Sequence, residues 1–200
     1  MKHLAIFASG SGTNAEAIIR HFQNSNTHCV TRVYCNNPQA GVIQRASQLE
    51  IPCLVFDRTD FQDGKRILEQ LKSDRTDAIV LAGFLWLVPD YLIKSFPSKI
   101  INIHPALLPK YGGKGFYGEK VHKAVLEAKE PMSGITIHEV NEKFDEGKII
   151  FQAACYCSPE DTIETLAKKI HALEHKYFPV VIEKSVCECE VSVGVKCECV

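Results

Sequence analysis

Apolar residues along this chain alternate between two patterns. Short unbroken runs, His3 to Ala8, Val30 to Cys35, Pro52 to Phe56, Ala78 to Ala82 and Lys99 to Ile103, read as buried strands. Between them, Asn14 to Phe22, Gly41 to Leu49 and Asp60 to Leu71 carry apolar residues at helical spacing, with Asp60 placed to cap the third helix. Strands alternating with helices predict an α/β fold: a mostly parallel, Rossmann-like sheet with helices on both faces. Ligands of such sheets bind beyond the carboxyl ends of the strands.

The pattern changes at Gly134. Ile135, Ile137 and Val140 punctuate a polar sequence, Asn141 to Gly147 forms a polar loop, and Ile149 to Tyr156 resumes as a strand, which predicts an antiparallel hairpin added to the sheet. A long helix follows Ser158-Pro159-Glu160-Asp161 and runs to Ser185. No repeat or low-complexity linker interrupts the pattern, so residues 1–185 are expected to form one domain, with 186–200 as a cysteine-rich tail.

Composition narrows the function classes. The 23 basic and 24 acidic side chains leave a net charge of -1, which gives no electrostatic reason to expect nucleic acid or a membrane surface as partner. No run is long and apolar enough to span a bilayer, and Met1 to Ser9 lacks the regions of a signal peptide, so a cytoplasmic protein is expected. Five of the nine cysteines, Cys29, Cys35, Cys53, Cys155 and Cys157, sit in or beside apolar runs and read as small hydrophobes. The tail holds Cys187, Cys189, Cys197 and Cys199. Their C-x-C spacing fits zinc sites poorly, and a strand pair turning at Ser192-Val193-Gly194 is the expected structure.

Three sequence features carry chemistry. Ser9-Gly10-Ser11-Gly12-Thr13-Asn14 lies between the first strand and the first helix, where free N–H groups attract phosphate. It lacks a third glycine and a P-loop lysine, and a tight turn capped by Thr13 or Asn14 reads equally well. In Ile101-Asn102-Ile103-His104-Pro105, Asn102 and His104 share one face of a strand that Pro105 ends. An amide can donate to a developing oxyanion and an imidazole can move a proton near neutral pH, although both residue types also cap turns. A carboxylate at Asp145 near His104 would favour the imidazolium, while Asp in a hairpin loop is commonly a turn former. His171 and His175 lie one helical turn apart but lack the glutamate of a zinc-protease motif, and read as a solvated face; Glu174 between them stays open. No nucleophile elbow or cysteine context supplies a covalent carrier.

Taken in order, Ser9 to Asn14, Leu81-Ala-Gly-Phe84, Asn102-Ile-His-Pro-Ala-Leu-Leu-Pro109, Gly134-Ile-Thr-Ile-His138, Phe144-Asp145-Glu-Gly147 and Glu174-His175 resemble the glycinamide ribonucleotide transformylases, folate-dependent formyltransferases of purine synthesis. The resemblance spans about residues 3 to 183. It implies the formyltransferase fold and transfer of a formyl group from 10-formyltetrahydrofolate to the amine of glycinamide ribonucleotide, without a metal, by a monomer or homodimer. It implies Asn102, His104 and Asp145 as the catalytic set, with a protonated His104 kept charged by Asp145. Gly12, Thr13 and Asn14 are implied to hold the substrate phosphate, and Glu174 to lie near its glycinamide end. Arg58, Leu85, Trp86, Leu87, Val88 and Asn102 are implied to contact the folate, and Leu108-Pro109 to be a cis bond.

Departures from the family pattern are Ala106, where many relatives carry Ser, and Trp86, where the best-known bacterial relatives carry Arg, so the folate's charged tail is expected to be held differently. Tyr111 to Gly118 is longer than in those relatives, and its glycines predict a mobile flap. Other 10-formyltetrahydrofolate enzymes, the initiator-tRNA formylase and the deformylating hydrolase, differ by an added domain. A non-catalytic nucleotide-binding module is the remaining alternative, and it requires Asn102, His104 and Asp145 to lie apart.

Overall fold

The strands are β1 (Lys2–Ala8), β2 (His28–Cys35), β3 (Cys53–Val55), β4 (Ala78–Leu81), β5 (Ile100–His104), β6 (Met132–Glu139), β7 (Ile149–Tyr156) and β8 (Val195–Cys197). In the computed structural model, which describes residues 1–186 and 195–197, they join one sheet in the order β3-β2-β1-β4-β5-β6-β7-β8. The first five run parallel to one another. The hairpin expected after Gly134 is present: β6 pairs antiparallel with β5 and β7 antiparallel with β6. Cys187, Cys189, Cys199 and the turn expected at Ser192-Val193-Gly194 lie outside the described residues; the backbone of β8 runs parallel to β7.

Strand alternation divides the core. On β1, Leu4, Ile6 and Ala8 face one side, against Ile18 and Ile19 of α1 (Thr13–Phe22), Val42 of α2 (Gly41–Gln48), Val121 and Val125 of α6 (Glu119–Glu127) and Leu166, Ile170 and Phe178 of α7 (Ile163–Val186). Ala5 and Phe7 face the other, against Phe61 of α3 (Arg58–Asp63), Ile67 and Leu71 of α4 (Lys65–Ser73) and Leu92 of α5 (Asp90–Ser95). The parallel half is therefore buried on both faces, which is why its strands read as apolar runs. Cys35, Cys155 and Cys157 are buried within the first of these layers.

One expected element is corrected. The single helix from Asp60 to Leu71 is two helices. Asp57, not Asp60, caps α3: its carboxylate accepts from the Asp60 N–H at 2.8 Å, and Asp60 reaches back to complete a capping box. Gly64 then ends α3 in the left-handed conformation, φ 74°, and starts α4. A Cβ at this position would stand 2.6 Å from the Tyr91 ring, whose hydroxyl donates to the Phe61 carbonyl at 2.9 Å. Two short helices, α5 and α6, were not expected from the apolar pattern.

Gly64→Ala combines a disfavoured φ with a clash against a ring that cannot withdraw without breaking its hydrogen bond. It is expected to destabilise the protein by about 2 kcal/mol or more in a urea titration; an unchanged midpoint would show that the α3–α4 corner is compliant.

Candidate active site

Strand order reverses between β1 and β4, so the chain leaves these neighbours in opposite directions and opens a crevice at their carboxyl ends. Ser9 ties the two exits together: its N–H donates to the Gly83 carbonyl at 3.1 Å and its hydroxyl accepts from the Leu85 N–H at 3.0 Å. Gly12 N-caps α1 at φ 80°, and a Cβ there would lie 2.6 Å from Val42, so only glycine fits. No side chain caps α1; Thr13 and Asn14 do not fold back, and the Asn14 Nδ2 instead donates to Glu174 Oε2 at 2.9 Å. The helix end stays open to an anion. From α2, Arg45 donates to the Ser11 carbonyl and pairs with Glu16, bracing the loop.

The crevice deepens into a cavity of about 630 Å³, walled by residues 10–14, 81–88, 102–105 and 113–118, with His122, His138, Asp145, His171 and Glu174. Asn102, His104 and Asp145 meet at one end. Asp145 lies in the β6–β7 loop at φ 57°, and its side chain is 10% exposed. Oδ2 accepts from the Gly113 N–H at 2.9 Å and faces His104 Nδ1 at 3.5 Å; Oδ1 accepts from Asn102 Nδ2 at 3.4 Å and faces His138 Nε2 at 3.5 Å. Burial raises the Asp145 pKa, but His138, His104 and the Gly113 N–H together hold it below the ordinary aspartate value. The carboxylate is therefore ionised at neutral pH. A non-catalytic module requires these side chains apart; here they touch.

His104 departs from expectation. Its Nε2–H donates to the Tyr111 carbonyl at 2.7 Å, which fixes the tautomer and leaves Nδ1 bare toward Asp145. Burial lowers its pKa, opposed by the Asp145 carboxylate and the Tyr111 carbonyl, and the net direction is down. Burial of a ring only 3% exposed outweighs the carboxylate contact at 3.5 Å, so the uncharged form is favoured more than in a free imidazole.

His138, part of a sequence motif but given no role by it, stands directly opposite Asn102 across the β5–β6 ladder. Its Nδ1–H donates to the Glu139 carbonyl at 2.7 Å, and its Nε2 lies 3.0 Å from Asn102 Nδ2. This orients the Asn102 amide. Thr136, opposite His104, donates to the Ala106 carbonyl at 2.7 Å and accepts from the Leu108 N–H at 2.9 Å. It fastens the loop after β5, in which Leu108-Pro109 is cis.

Glu174 is buried, 6% exposed, and burial raises its pKa to about 7 against the lowering effect of Asn14. Of the folate candidates, Leu85, Trp86, Leu87, Val88 and Asn102 line the cavity. Leu85 and Leu87 are exposed, Val88 is buried, and Trp86 packs on Phe56, Phe61 and Phe84. Arg58 is not part of the wall; its guanidinium lies over the Trp86 ring, 4.7 Å from the centroid. Among the described residues no group of three or more His, Cys, Asp or Glu is placed to hold a metal, and no helix is long and apolar enough to cross a membrane.

The formyl transferase family model matches residues 2–182. The phosphoribosylglycinamide formyltransferase of Bacillus subtilis (strain 168) is 39% identical over 189 residues, covering 92% of this chain and 94% of that protein. The crystal structure of phosphoribosylglycinamide formyltransferase from Bacillus halodurans superposes with a TM-score of 0.85 at 38% identity, over 94% of this chain and 97% of that one. That from Anaplasma phagocytophilum gives 0.87 at 28% identity, over 99% and 98%.

Glu174 yields a stability test. An acid whose native pKa stands above its unfolded value holds its proton more tightly when folded. Its contribution is full below about 4.5 and is lost as pH rises through about 7. Ligand-free Glu174→Gln is expected to match the wild type near pH 4 and to exceed it by about 3 kcal/mol at pH 8 in urea titrations. A constant difference across that range would mean the carboxyl is not desolvated.

Proposed function

The chain belongs to the formyl transferase family, and we infer from its relatives that it is an enzyme transferring the formyl group of 10-formyltetrahydrofolate to the amine of glycinamide ribonucleotide in purine synthesis. The observation that carries this reading is the contact of Asn102, His104 and Asp145 in a cavity that the uncapped start of α1 also lines. The substrate has matching ends, a phosphate and an amine. Gly12, Thr13 and Asn14 receive the phosphate through backbone N–H groups, and Glu174 lies along the path to the amine.

Neutral His104 alters the chemistry the sequence suggests. The amine attacks the formyl carbon, forming the C–N bond and placing negative charge on the formyl oxygen. Asn102 Nδ2 donates to that oxygen; its contact with Asp145 at 3.4 Å is loose enough to be exchanged. The attacking nitrogen, now cationic, gives its proton to the space between Asp145 Oδ2 and His104 Nδ1, where two acceptors face each other. The resulting imidazolium beside a carboxylate is a charge-assisted pair that the resting site lacks. It stabilises the oxyanion and returns a proton to the folate nitrogen as the original C–N bond breaks, so no net proton is gained or lost. No covalent enzyme intermediate and no metal enter the scheme.

On the folate side, Leu85, Trp86, Leu87 and Val88 supply an apolar wall for the ring system, with Asn102 at the reacting end. Arg58, stacked on Trp86, supplies a cation at the rim for the folate's anionic tail, a role that residue 86 itself cannot take as tryptophan.

The first test follows loss of 10-formyltetrahydrofolate spectrophotometrically with and without glycinamide ribonucleotide. Turnover that requires the ribonucleotide supports the transferase, and equal turnover without it identifies a hydrolase. In the same assay Asp145→Asn is expected to lower kcat by about 10³-fold while both KM values stay within a few-fold. Near wild-type turnover would remove Asp145 from the mechanism.

A further inference from the structure

Buried polar atoms in folded proteins nearly always have a partner. His122, in the first turns of α6, is 3% exposed and lines the cavity, yet its Nδ1 is fully buried with no hydrogen-bond partner among the described residues. Its location is equally informative. The titratable side chains that act on it are His171 of α7 and His104 of β5, so it lies within electrostatic reach of the reacting residues. Asn14 Oδ1, another wall atom, is buried and unpartnered too. Leaving such groups unmatched costs about 1–3 kcal/mol each. His122 is thus a polar ring that lines the cavity while its Nδ1 has no partner among the described residues, and its cavity-facing edge is what a polar ligand can engage.

Resting on the transferase reading above, we propose that His122 is a substrate-binding residue whose imidazole hydrogen-bonds a neutral polar group in the part of the ribonucleotide that links its phosphate to its reacting amine. The chemistry favours a neutral partner. Burial, reinforced by His171 and His104, pushes the imidazole pKa down to about 4, so the ring is uncharged at neutral pH and offers one donor and one acceptor. A neutral ring is a poor match for phosphate or carboxylate and a good match for an amide or a hydroxyl. The linking portion of the substrate carries both, the glycinamide amide and the ribose hydroxyls.

The contact predicts a separation between stability and binding. Replacing the imidazole by an apolar ring removes an unmatched polar atom from the ligand-free protein and removes a partner from the complex. His122→Phe is therefore expected to keep or raise the ligand-free Tm, to raise the KM for glycinamide ribonucleotide roughly 10-fold or more, and to leave the KM for 10-formyltetrahydrofolate within two-fold. His122→Asn, which keeps a donor and an acceptor, is expected to recover part of the ribonucleotide affinity. With a ribonucleotide analogue lacking both ribose hydroxyls, loss of the His122→Phe penalty assigns the contact to a hydroxyl, and its persistence assigns it to the amide. An unchanged ribonucleotide KM in both variants, or a lowered Tm with both KM values rising together, would overturn the proposal. Absence of any ribonucleotide-dependent turnover in the wild type would instead overturn the transferase reading, and His122's role with it.

Discussion

One buried carboxylate organises the reacting end of this protein. Asp145 is charged although nearly enclosed, and an unpaired charge in that position would cost several kcal/mol. Its oxygens accept from the Gly113 N–H and the Asn102 amide and lie 3.5 Å from the His104 and His138 rings, groups drawn from β5, β6 and the loop between β5 and α6. The demand propagates outward. The loop that carries Asp145 adopts a left-handed backbone at that residue, and a Cβ at Gly112 would sit 2.5 Å from Leu108 Cδ2 and 3.3 Å from the Asp145 Cβ, so a side chain there would crowd the loop. Gly147 is pinned by a similar constraint, since a side chain would strike the Glu139 carbonyl that sets the His138 tautomer.

The mixed sheet is what makes this convergence possible. A parallel strand brings only its own carboxyl end to the crevice. Adding β6 antiparallel to β5 places His138 opposite Asn102 and Thr136 opposite His104, so two strands contribute side chains to one point. The parallel half supplies the other requirement, a switch point between β1 and β4 where α1 begins uncapped. A long substrate can then lie across the strand ends, anion at one side and reacting group at the other.

Much of this was legible in the residues. Periodicity marked β1 to β5 because strands buried on both faces are unbroken apolar runs, and it put Asn102 and His104 on one face by the two-residue repeat. The break at Gly64 was readable too: Asp57 and Asp60 have capping-box spacing, and Gly64 follows at a helix-ending distance. Helix α5 was hidden because six residues hold barely more than one turn of apolar repeat. Asp145 could not be located by pattern, since a hairpin-loop aspartate looks the same whether it turns the chain or reaches a histidine 41 residues away in sequence; the family motif supplied it. The pKa of His104 is set by something the sequence does not display. A neighbouring carboxylate can be inferred from sequence, but the depth of burial that outweighs it belongs to the packed structure.

The account turns on His104 resting neutral beside an ionised Asp145, ready to receive a proton. Nitrogen-15 NMR of histidine-labelled, ligand-free protein reports this directly. The expected result is a neutral His104 ring at pH 7 with the proton on Nε2, a titration midpoint below the ordinary 6.5, and a further fall in the Asp145→Asn variant. An imidazolium persisting above about pH 7 in the ligand-free wild type would contradict it.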